Sequence, residues 1–214
     1  MQKIWKEFFC AAAIVLTAVW CLSGTLRDVE MNKMRSLGAS EASAIWGYIT
    51  EQEEIEKGEK DPSAVEYIGE IMGEKISKAA FVMRYALLQS EIGEATAGLK
   101  DAVWDSFKRD VWNVSFNHRK GIAPQSVEID VYTADIRSEI EKDPKTEMRM
   151  RAYVEGLGMT WDEYWEYFRK YEAPRNVNHW KVTEFLSKVS MPYANLSVLD
   201  ASITDMDYYD SLPS

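Results

Sequence analysis

Apolar positions recur at helical spacing over most of this chain. Phe81, Tyr85, Leu88 and Ile92 stand four, three and four residues apart, which predicts a helix with Ser77 as its N-cap. Leu99, Val103, Phe107 and Val111 form the face of a second helix, separated from the first by Gly93 and Gly98. Pro124 suits the first turn of a third, whose face is Ile129, Tyr132, Ile136 and Ile140 and which Asp143 and Pro144 end. Thr160 and Glu163 have capping-box spacing, in which the hydroxyl and the carboxylate each satisfy a free N–H of the first turn. A helix begun there sets Trp161, Tyr164, Trp165 and Phe168 on one stripe, and Pro174 is expected to close it. Val182, Phe185, Leu186 and Val189 define the last helix. Nearer the N-terminus, Met31, Met34, Ala42, Ile45 and Trp46 mark an amphipathic helix expected to break near Gly38.

Alternation is scarce. Residues 66–76, EYIGEIMGEKI, are the one strand candidate: Gly73 can turn a short hairpin, yet Val65, Ile68 and Met72 also fit a helix. The expected fold is therefore all-α, with one short β-hairpin near residues 66–76 as the open alternative. Residues 27–63 read as a helix and an acidic linker, residues 64–190 as the helical domain, and residues 191–214 as an acidic disordered tail, since Asp200, Asp205, Asp207 and Asp210 stand there without a basic neighbour.

Residues 1–26 differ from all of this. Lys3 and Lys6 precede an uncharged run over residues 8–26, about the 20 residues that cross a bilayer core. The run predicts a membrane anchor with the N-terminus cytoplasmic and the body exported. A cleaved signal is the alternative, disfavoured by bulky Trp20 beside the small residues a cut site needs. Trp20 also argues against lipidation at Cys21. Cys10 and Cys21 both lie in this run, so the expected exported body uses neither disulfides nor thiolate chemistry.

The 214 residues, 46% of them hydrophobic, suffice for one substantial core. The formal net charge is −10, and with residues 1–26 at +1 the rest carries about −11, a body that repels phosphate backbones; nucleic acid is not an expected partner. His118 and His179 are the only histidines and lie far apart in sequence. No GxSxG, HExxH, Walker or GxGxxG pattern is present, and carboxylate neighbours such as Asp162 and Glu163 sit where a helix start favours negative charge. No catalytic residue, metal site or cofactor is expected.

Three segments in order resemble one family. IMGEKISKAAF (residues 71–81), KGIAPQSVEIDVYTADIR (120–137) and YVEGLGMTWDEYWEYFRKY (153–171) are similar to the strand-turn-helix entry, a later helix start and the Gly-Leu-Gly, Thr, Glu-Tyr-Trp element of SurA-type N-terminal domains. Met72 stands where the family's turn has Asn. The resemblance implies a helical, chaperone-like module that holds unfolded or exported polypeptides. The parvulin-type isomerase domain of many relatives is not expected in the 25 residues after Val189, so isomerase activity is the weakest of the readings. The indole- and methionine-rich composition suits a surface that re-packs around varied apolar chains. Trp161, Tyr164, Trp165, Phe168 and Trp180 are the candidate peptide-binding residues, with Trp165, Phe168 and Trp180 expected to border an apolar groove. The alternative is a non-catalytic subunit that docks one fixed partner at the membrane.

Overall fold

The turn at Met72 and Gly73 decides the one ambiguous segment. Both residues take positive φ, 53° and 88°, the pairing that a two-residue hairpin turn requires and that glycine adopts without strain. The computed structural model, which describes residues 25–92 and 98–211, accordingly has a hairpin of β1 (Tyr67–Ile71) and β2 (Glu74–Ser77). Ile68, Ile71 and Ile76 are buried on one face of it. Ser77 ends β2 and also caps the next helix, its Oγ accepting from the Ala80 N–H at 3.1 Å.

The architecture is mainly helical, with a small sheet. Helix α1 (Thr25–Glu56) leads to a 3-10 turn (Pro62–Ala64) and the hairpin; α2 (Lys78–Ile92) and α3 (Leu99–Lys120) follow. Then come α4 (Ser126–Lys142), α5 (Pro144–Gly156) and α6 (Trp161–Tyr167), which passes through a π turn (Phe168–Glu172) into α7 (Ala173–Lys188). The chain ends with a second 3-10 turn (Leu196–Val198), β3 (Ala201–Ile203) and α8 (Met206–Ser211). The sheet order is β2-β1-β3, with both pairings antiparallel.

Four expectations need correction. Helix α1 runs unbroken through Gly38, because that glycine is a contact and not a break: α1 crosses α5 at Gly38 and Gly156, where a Cβ on Gly38 would stand 2.9 Å from the Leu157 backbone nitrogen. Pro124 lies before the N-cap of α4; Gln125 caps that helix in a capping box with Glu128, whose Oε2 accepts from the Gln125 N–H at 2.8 Å. Pro174 lies in the first turn of α7 instead of closing a helix: the π turn, in which the Ala173 N–H bonds the Phe168 carbonyl, runs straight into α7 and carries the chain through the proline. The acidic tail is ordered as far as Ser211: β3 pairs with β1, and α8 sends Tyr209 into the core beside Phe81, ring centroids 5.9 Å apart. Of its aspartates, Asp205 bonds Lys78 at 2.8 Å and accepts from the Tyr208 N–H.

The apolar interior is divided. One cluster joins the sheet to α2, α3 and α8 through Ile68, Ile71, Phe81, Val103, Phe107 and Tyr209. A second lies among α1, α2, α5 and α6, with Ile45, Met83, Val154, Leu157 and Tyr167. A third joins α3 to α7 through Trp112, Phe116, Val182 and Leu186. A fourth, smaller one holds Met31 and Met34 of α1 against Ala152 of α5. Among the described residues these clusters span residues 31–209, which pack an apolar core among themselves. Among the described residues no helix is long and apolar enough to cross a membrane; the expected anchor, apart from its last two residues, lies outside the described residues, as do both cysteines.

Candidate functional site

The capping box fixes where the aromatic stripe begins. The Thr160 Oγ1 accepts from the Glu163 N–H at 3.3 Å, and the Glu163 carboxylate accepts from the Thr160 N–H at 2.7 Å. Helix α6 then turns Trp165 and Tyr167 inward, at 4% and 7% exposure. Trp161 and Tyr164 pack as half-buried neighbours, with the Trp161 and Trp165 rings edge to face at 5.5 Å. Trp161 is held by its neighbours, its indole N–H donating to Glu141 at 2.9 Å and Arg151 lying 4.4 Å over its ring. Trp165 is sealed against its neighbours and offers an incoming chain no surface. The five candidate residues therefore do not make one face.

Trp180 and Phe168 stand on opposite sides of the start of α7. Trp180, Val177, Tyr132, Val131 and Val127 line an apolar groove of about 200 Å³ between α4 and α7. Val127 and Val131 are 59% and 52% exposed on an otherwise heavily charged surface. At its edge the Glu128 carboxylate accepts from Lys181 at 2.6 Å, and that ion pair with the Gln125 N–H holds Glu128 below the usual carboxylate range despite the opposing cost of its burial. Tyr132 stacks on Phe168 at 6.2 Å and 14°, so this ring pair forms the wall between the groove and a second hollow.

That second hollow, about 450 Å³, is a cleft among α2, α3, α5, α6 and α7. Leu87, Leu88, Tyr164 and Phe168 supply its apolar side; Arg84, Arg109, Asp110, Glu172, Arg175 and His179 supply its charges. Arg84 is buried, lies 4.1 Å over the Phe107 ring, ion-pairs with Asp110 and donates to Ser106 at 3.2 Å. Arg175 pairs with Glu172 at 2.7 Å, and Glu172 also accepts from the Tyr167 hydroxyl at 3.1 Å. Burial first, and the Glu172 charge second, push the Tyr164 and Tyr167 phenols above their ordinary value, so both stay protonated donors. Burial and then Arg109 push His179 the other way, below its usual value, so it is neutral near pH 7. The arrangement can bind and orient a ligand: Arg84 and Arg175 are held by Asp110 and Glu172, and Arg109 stands exposed at the cleft.

Searches of protein-family models, curated proteins and solved structures gave no match to this chain. The likeness to SurA-type domains thus rests on the three sequence segments alone. Among the described residues no group of three or more His, Cys, Asp or Glu side chains is placed to hold a metal ion.

Sequence reasoning named Trp180 and Phe168 but missed their surroundings. Val127 and Val131 carried a signal, being four apart and off the Ile129–Tyr132–Ile136 face, a second apolar stripe on the same helix. Arg84, Arg109 and Arg175 carried none: they come from three different helices, and only the tertiary fold brings them to one cleft.

Proposed function

We propose that this chain is a non-catalytic binding module that holds apolar segments of unfolded or exported polypeptides, tethered to a membrane by residues 8–26 with its body on the far side. The observation that carries the reading is the groove between α4 and α7, lined by Val127, Val131, Tyr132, Val177 and Trp180, with two valines more than half exposed. Removing an exposed valine pair and an indole face from water on a client's apolar side chain gives a favourable term of about 25 cal/mol per Å². The groove is shallow and presents rings and branched side chains without a fixed hydrogen-bonding pattern, which suits varied apolar occupants of modest affinity. The acidic surface around it keeps such a module soluble.

The test uses the chain from residue 27. It is expected to suppress aggregation of several unrelated denatured proteins and to bind apolar peptides at micromolar concentration, and Val131→Asp is expected to abolish both while leaving the fold intact. Retention of a single native partner with no denatured client held refutes the holder and favours a dedicated docking subunit. A prolyl-peptide assay is expected to show no rate enhancement.

A further inference from the structure

We propose that the cleft beside α7, on the other side of the Tyr132–Phe168 wall from the groove, is a binding site for a monoanionic carboxylate that carries an apolar group. The inference stands apart from the groove and does not need it. Three guanidinium groups, Arg84, Arg109 and Arg175, line the cleft against two carboxylates, Asp110 and Glu172, and His179 beside them is neutral. The lining thus carries one surplus positive charge in a chain whose formal net charge is −10. Charge of that sign inside a concavity is what an anion requires, and a surplus of one matches a monocarboxylate better than a doubly charged phosphate group.

The side chains distinguish further. Arg84 is 8% exposed, and its Nε is buried without a hydrogen-bond partner although Nη1 is bonded to Asp110 and Ser106. A buried donor left unmade is costly, and an acceptor brought into the cleft would recover that cost. Arg109 is exposed, and Arg175 is part-exposed beside Glu172. Planar guanidinium groups pair with a carboxylate through two parallel hydrogen bonds, which a lysine cannot do. Leu87, Leu88, Tyr164 and Phe168 give the opposite wall to an apolar tail. About 450 Å³ falls within the range of small-ligand sites and would take one amino-acid-sized carboxylate or the last residue of a polypeptide.

The same chemistry has two sources, a free amphipathic carboxylate and a polypeptide's C-terminal carboxylate. The probes that separate them are N-acetyl-leucine, N-acetyl-leucine amide, and an eight-residue peptide ending in leucine with a free or an amidated C-terminus. Titration of the chain from residue 27 is followed by calorimetry and by the histidine ring resonances. The chain has two histidines, so His118 serves as the internal control. His179 is faced by Arg109, Asp110 and Arg175, and its Nδ1 lies 3.3 Å from the Asn113 amide; a carboxylate seated among these groups offsets the guanidinium push and raises the His179 pKa, leaving His118 unmoved.

The acid forms are expected to bind at least tenfold more tightly than the amides. Arg109→Gln, an exposed change that leaves the core untouched, is expected to weaken the acids about tenfold and the amides not at all. Acid-specific binding of N-acetyl-leucine together with the peptide, or of the peptide alone, supports the site and tells which source it takes. Equal affinity for acid and amide, no response of His179, unchanged acid affinity in Arg109→Gln, or tighter binding of inorganic phosphate overturns it. Val131→Asp separates this site from the groove: it is expected to leave carboxylate binding unchanged while abolishing client binding.

Discussion

Replacing Gly38 by alanine tests the packing at its tightest point. Alanine is the better helix former by about 1 kcal/mol, so in an isolated helix the change stabilises. At this crossing an alanine Cβ would stand 2.9 Å from the Leu157 nitrogen and 3.1 Å from the Gly156 carbonyl carbon, and closer still to the Tyr153 carbonyl oxygen, against an ordinary contact of 3.4–4 Å. All of these atoms are backbone, so no rotamer change relieves the overlap and the two helices must part. Overpacking of this kind costs about 1–3 kcal/mol, and here the upper end applies. Parting the helices also loosens what the crossing holds: the Tyr153 hydroxyl donating to buried Glu41 at 2.5 Å, and the Trp46 indole donating to the Leu157 carbonyl at 2.8 Å. Offsetting the propensity gain leaves a net loss of about 2 kcal/mol. Gly47, on the same helix, has nothing within 4 Å of its Cβ position, so Gly47→Ala is expected to gain about 0.5–1 kcal/mol. Urea denaturation of both variants with unchanged slope reads the two signs directly. A Gly38→Ala protein as stable as the parent, or one that tracks Gly47→Ala, refutes the close crossing of α1 and α5.

Asp110→Ala leaves the Arg84 guanidinium buried without its counter-charge, and is expected to cost about 3–5 kcal/mol in chemical denaturation, much of it recovered by adding Arg84→Met. Tyr209→Ala, in the tail, is expected to cost about 3 kcal/mol because the ring packs on Phe81 and its hydroxyl bonds Asp101 at 2.7 Å; an unchanged midpoint restores the disordered tail. Thr160→Ala removes one half of the α6 capping box and is expected to cost about 1 kcal/mol, with Thr160→Ser close to neutral. His179 titrates below its ordinary 6.5 in the folded chain, so the unfolded chain takes the proton first; its contribution is complete above pH 6.5 and is lost as pH falls through the lower folded value. Stability of His179→Gln is therefore expected to fall less than the parent's between pH 7 and pH 5, and parallel curves refute the burial of His179.

Local patterning by itself determined the helices, their faces and several of their ends. Phe81, Tyr85 and Leu88, or Leu99, Val103 and Phe107, needed only the 3.6-residue period to declare which side would be covered, and Thr160 with Glu163 needed only their spacing, because a capping box is closed within one turn. Where the deciding partner is distant in sequence, the pattern pointed the wrong way. Gly38 read as a break because its reason lies 118 positions away at Gly156, and Pro174 read as a stop because a π turn is not written in residue types. The tail read as disorder because four aspartates outweighed Tyr209, whose place beside Phe81 exists only once β3 has paired with β1. The aromatic stripe was legible as a stripe, but the division that buries Trp165, opens Trp180 to a groove and sets Phe168 against three converging arginines is a property of how α4, α6 and α7 meet. Periodicity is a statement about one helix; a cleft needs the relative placement of several, and that placement comes from long-range packing.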